Sequence, residues 1–67
     1  MEQQFIISKN RLNIILDLLA DAHGGFANKM QRGFDSKLQT ETKRFFCNDG
    51  KSIYLFTTDN TVSINIF

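Results

Sequence analysis

The apolar positions of this chain change their spacing twice. Residues 3–7 (QQFII) are dominated by aromatic and β-branched side chains and predict a short first strand. From Leu12 the apolar residues fall at helical spacing: Leu12, Ile15, Leu16, Leu19 and Ala22, with Ile14 and Leu18 widening the stripe. Lys9, Arg11, Asn13, Asp17 and Asp21 fill the polar side. This predicts a helix from about Lys9 to His23, with Ser8 as its N-cap. Gly24-Gly25 supplies the stop, and His23 suits the negative end of the helix.

A second helix is expected from about Phe26 to Gln39. Ala27, Met30, Phe34 and Leu38 fall at i, i+3, i+7 and i+11, which makes one stripe. Gly33 weakens a helix interior by about 1 kcal/mol against Ala, or permits close packing on the first helix. Gln39 to Lys43 is polar and reads as a loop or a frayed helix end.

The period changes again in residues 44–67 (RFFCNDGKSIYLFTTDNTVSINIF), which predict a three-stranded antiparallel meander. Asp49-Gly50, within Asn48 to Lys51, is a strong hairpin signal. Asp59-Asn60 is a second tight turn, because both residues tolerate positive φ. Two-residue turns at both places would put Phe46, Ile53, Leu55, Val62, Ile64 and Ile66 on one face. The opposite face would pair Phe45 with Tyr54, Cys47 with Ser52, and Phe56 with Ser63, and Phe67 would lie there too. An extra residue in either turn would slip the register and mix the faces. Coverage by a helix, the first strand or the chain end would hide the second face.

The expected fold is therefore α+β, a single small domain over residues 1–67. It has a short N-terminal strand, two helices and a three-stranded antiparallel meander, with the helices packed on one sheet face. The partner of the first strand is left open.

Composition refines this picture in a few places. Seven Phe and 42% hydrophobic residues supply a core, so disorder is not expected. A chain of 67 residues is near the lower limit for folding alone. One cysteine, Cys47, cannot form an internal disulfide. With one histidine, His23, it cannot complete a tetrahedral metal site. No metal, cofactor or catalytic residue is expected. Asp17 and Asp21 read as a solvated helix face, and Gly24-Gly25 as turn chemistry rather than a phosphate loop. No stretch resembles a signal peptide or membrane span, and a lone cysteine fits a reducing compartment, so a cytoplasmic protein is expected.

The formal net charge is +1, which signals neither a strongly basic nor a strongly acidic partner. Residues 26–51 hold six basic side chains against three acidic ones, a modest basic belt.

These features point to a non-enzymatic protein-interaction module, of the kind by which a small phage or mobile-element regulator or inhibitor occludes a larger protein. A homodimer is equally compatible. The expected anchors are Phe45, Tyr54, Phe56 and Phe67, with Arg44 and Lys51 on the rim, because four aromatics on a second face make a patch that soluble monomers seldom leave bare. The alternative is a dimeric nucleic-acid-binding regulator of helix-turn-helix type. In that reading Lys29, Arg32 and Lys37 of the second helix approach phosphates. The order strand, helices, hairpin is loosely similar to small phage repressors of the Cro type, without a specific motif that carries the resemblance. Stacking of single-stranded bases on Phe45, Tyr54 and Phe56, near Lys43, Arg44 and Lys51, is a second nucleic-acid route.

Overall fold

The computed structural model describes residues 3–67, with the side chains of Asn28 and Lys29 outside that description. The chain runs β1 (Gln3–Ser8), a 3₁₀ turn (Lys9–Arg11), α1 (Leu12–Ala22), β2 (Phe26–Asp35), β3 (Thr40–Cys47), β4 (Ser52–Thr58) and β5 (Thr61–Ile66). The five strands form one antiparallel sheet in the order β1-β5-β4-β3-β2. β1 and β2 are its two edges.

The largest correction concerns the segment 26–39, which is a strand and a turn instead of a second helix. Its pairing with β3 is continuous from Met30–Phe45 to Asp35–Thr40. The apolar stripe was ambiguous. Beyond an irregularity between Phe26 and Met30, the residues Met30, Arg32 and Phe34 alternate onto one face just as well. Gly33 disfavours a helix interior, and the ladder pairing with β3 overrides what local propensity remains. Asp35 then caps the turn: its Oδ1 accepts from the N–H of Lys37 (2.9 Å) and of Leu38 (3.0 Å). The polar run expected as a loop becomes the first half of β3. The meander therefore has four strands, not three, and one helix packs on the sheet, not two.

The first strand pairs with β5, from Gln3–Ile66 to Ser8–Thr61. α1 is held at both ends. The N–H of Lys9 donates to the Asn60 carbonyl in the β4–β5 turn (2.9 Å). Ser8 has the extended backbone of an N-cap, yet its hydroxyl donates to the Asn10 side chain rather than accepting a helix N–H. At the other end Gly24, with φ +82°, sits at the C′ position. The N–H of Gly25 donates to Ala20 O (2.7 Å) and that of Gly24 to Asp21 O (3.3 Å), which is the Schellman arrangement. The β3–β4 loop clamps this exit: Asn48 N–H donates to Gly25 O (2.9 Å) and Asp49 N–H to His23 O (3.1 Å). The helix thus spans from one turn of the sheet to another.

Its apolar stripe closes the core. Ile53, Leu55, Val62, Ile64, Ile66 and Cys47 form the buried cluster, and Ile7, Leu12, Ile15, Leu16, Leu19 and Phe45 pack against it. The aliphatic face expected from the second turn is this core face, with Leu55 opposite Ile64 and Ile53 opposite Ile66. The first turn differs. Asn48, Asp49 and Gly50 all lie between Cys47 and Lys51, whose backbones are bonded (2.8 Å), and Gly50 has φ +92°. This is a three-residue hairpin loop closing on a glycine, one residue longer than expected. The extra residue shifts β3 by one place, so that Phe45, not Phe46, lies opposite Ile53.

Among the described residues no helix is long and apolar enough to cross a membrane.

Candidate functional site on the helix-free sheet face

Strand alternation sends every second residue away from α1. The resulting face is built in rows across the strands. One row runs Gln31, Arg44, Tyr54, Asn65, Gln4; the next runs Gly33, Thr42, Phe56, Ser63, Ile6. A shorter row joins Phe46, Ser52 and Phe67, the last two linked by a pair of backbone hydrogen bonds of 3.0 and 3.2 Å. In the second and third of these rows large side chains alternate with small hydroxyl residues. The small ones, Thr42, Ser52 and Ser63, are buried between the large ones. Tyr54, Phe56, Phe46 and Arg44 are half-buried, and Phe67 and Ile6 are exposed.

Arg44 is the centre of the arrangement. Its guanidinium lies 5.4 Å from the centroid of the Tyr54 ring and 5.6 Å from that of Phe67. Cation–π contacts of this kind hold a long side chain in place while leaving its N–H fork available. Tyr54 in turn meets Phe56 edge to face, with centroids 6.2 Å apart. The Ser63 Oγ is buried in this face and has no hydrogen-bond partner among the described residues.

Three of the four expected aromatic anchors, Tyr54, Phe56 and Phe67, share this face with Arg44. Phe45 does not. The register shift turns it onto the helix side, where it packs on the core and lies 5.4 Å from Phe26, ring to ring. Phe46 stands in its place. Lys51 is exposed at the end of the β3–β4 loop, and its N–H donates to Asp49 Oδ1 (2.9 Å). The hairpin loop was readable in Asn-Asp-Gly, but its length was not. Ile6, Thr42 and Gly33 were missed because their faces depend on strand pairings that no local signal fixes.

The nucleic-acid alternative loses its recognition helix. Arg32 lies on strand β2 and Lys37 in the β2–β3 turn. Lys29 also belongs to β2, and its side chain lies outside the described residues. Lys43 is directed by alternation to the helix side, away from Arg44.

Cys47 and His23 are not brought together as a reactive pair. Cys47 is buried in the core, and burial pushes its thiol up, with the Asp49 charge adding to the effect. His23 Nδ1 lies 2.7 Å from Asp49 Oδ2. The Asp49 carboxyl is held below the usual carboxylate range by the Lys51 N–H first, and by His23.

Comparison with family models finds no match, and comparisons with curated proteins and with solved structures find none either.

Proposed function

We propose that this protein is a non-enzymatic interaction module that binds a larger protein through its helix-free sheet face and blocks the surface it covers. The observation that supports this reading is Arg44, stacked on Tyr54 and Phe67 beside Phe56 on a face that α1 leaves open. Tyr and Arg are the residue types that dominate interface energies, and rings held in place lose little entropy on binding. The small hydroxyl residues between them give the surface relief without adding charge.

The test compares two faces of the same fold. Tyr54→Ala and Phe56→Ser alter the open sheet face, whereas Ile14→Ser and Leu18→Ser alter the outward side of α1, where both residues are exposed. Affinity capture with each variant, with folding checked by circular dichroism, is expected to retain the partner with the helix variants and lose it with the sheet variants. A loss of at least tenfold in affinity is expected for a central aromatic. Retention by both sheet variants overturns the reading. So does their unfolding, which would make these residues core. Light scattering over a concentration series identifies the remaining occupant: a dimer that Tyr54→Ala dissociates would make the partner a second copy.

A further inference from the structure

The two edges of the sheet are built differently. β2 is guarded against pairing with another chain: its sequence, FANKMQRGFD, holds Lys29, Arg32 and Asp35, and its register breaks between Phe26 and Met30. Charges and bulges are common means of blunting an edge strand. β1 has neither. Gln3–Ser8 carries no charge, proline or glycine, and it pairs with β5 without a break along its whole length. Ile6 is 70% exposed. Phe5 is also exposed, and it stands outside the core cluster that Ile7 packs against.

The hydrogen bonds of β5 show which backbone groups of β1 are left over. Ser52 and Phe67 exchange bonds across β4 and β5, and Lys9 N–H donates to Asn60 O. Bonded and non-bonded pairs alternate along an antiparallel ladder, so β5 spends its odd-numbered positions on β4 and its even-numbered ones on β1. The β1 residues bonded to β5 are therefore Gln3, Phe5 and Ile7. Gln4, Ile6 and Ser8 direct their N–H and C=O groups away from the sheet, and all three residues are exposed. Beside them lies a hollow of about 430 Å³, lined by Ile6, Ile7 and Ser8 of β1, Asn10 and Arg11 of the 3₁₀ turn, and Ile15 of α1.

We infer that β1 is the joint of a two-fold dimer, in which β1 of a second copy adds antiparallel to this edge with Ile6 opposite Ile6. The edge itself argues for a second copy as its occupant. Backbone bonds across the joint must link residues whose groups point outward, and a register centred on Ile6 does this for all three: Ile6 meets Ile6 and Gln4 meets Ser8. The same register sets Phe5 of one copy opposite Ile7 of the other on the helix side, at the hollow. Knob and hollow belong to one edge, two residues apart, so a two-fold axis makes the fit twice. No like charges meet, because Lys9 falls opposite Gln3. On the helix-free side the row Phe56, Ser63, Ile6 runs on into the same row of the second copy. The joint uses the border of that face and none of its rings, so the inference stands apart from the reading of the face as a site for a larger protein.

The contact is small, and the dimer is expected to be reversible, with a dissociation constant of about 10 µM to 1 mM. Sedimentation equilibrium over a concentration series to about 2 mM measures it. Ile6→Lys places like charges face to face at the axis and supplies the guard that β1 lacks. It is expected to weaken the dimer at least tenfold. Ile14→Lys adds the same charge at a similarly exposed position on α1, 67% exposed, and is expected to dimerise as wild type does. Amide hydrogen exchange on wild type does not depend on any variant folding: protection of the Ile6 and Ser8 N–H groups is expected to rise with protein concentration. A monomer at every concentration overturns the inference and leaves the edge to a strand of another protein. Equal weakening by both lysines overturns it, as does protection at Ile6 and Ser8 that is independent of concentration. A dimer that Tyr54→Ala dissociates and Ile6→Lys leaves intact would move the contact to the rings of the helix-free face, so failure of the joint and failure of the face are distinguishable.

Discussion

Ser63 lies on β5 between Phe56 and Ile6, and its buried hydroxyl has no partner among the described residues. A desolvated hydroxyl without a hydrogen bond is a cost that folding normally avoids. Ser63→Ala is therefore expected to leave the fold intact and to raise its stability by about 1 kcal/mol, measurable as a shift in the urea midpoint. A clear loss of stability would show that the hydroxyl is bonded in solution. Serine was legible as one residue of a polar-looking strand face, but its burial was not. Burial at this position follows from the size of its neighbours on β1 and β4, and the pairing with β1 is a long-range contact.

The β3–β4 loop shows how one turn can set a whole element. Asp49 ties three segments together: it accepts from the Lys51 N–H, meets His23 at the end of α1, and its own N–H donates to the His23 carbonyl. Its folded carboxyl lies below the ordinary range, the Lys51 N–H being the first cause. A depressed carboxyl contributes stability that is present above the unfolded carboxylate range and is lost as pH falls through the folded one. Wild type is thus expected to lose its margin over Asp49→Asn below about pH 4. Thermal melts of both proteins across the acid range check this, and a margin independent of pH would assign the loop's stability to its backbone bonds alone. The Asp-Gly turn itself was evident in the sequence. Whether the loop held two residues or three was decided by the fit of β3 against β4 and by the bonds that Asn48 and Asp49 make to the helix exit. That difference exchanged Phe45 and Phe46 between the two faces.

At the scale of the whole molecule the first strand and the last are sequence-distant partners. β1 covers β5, so that the first strand and the last complete one another, and Ile7 joins the core opposite Val62. A chain of this size has little core to spare. Removal of residues 1–8 would leave β5 as a bare edge and take Ile7 from the core. The truncated chain is expected to lose its cooperative thermal transition by circular dichroism. Retention of a sharp transition would show β1 to be an accessory to a four-stranded domain. The layering also separates the charges: Lys43 and Arg32 fall by alternation on the helix side and Arg44 on the open side, which a count of basic residues in sequence does not show.

The sequence by itself determined the elements whose signal is local: the first strand, the amphipathic helix with its Gly-Gly stop, the turn positions, and the aliphatic set on β4 and β5 that forms the core. A tight turn and a period-two pattern are complete within a few residues, so they need no distant partner. Tertiary structure decided the rest. The segment from Phe26 to Asp35 fits a helix or a strand by spacing alone, and only the ladder with β3 selects the strand. Phe46, Ile6, Thr42 and Gly33 became members of one surface because four strand pairings align them in rows. Register acts over the whole sheet, and a single added loop residue is enough to reassign every side chain of a strand.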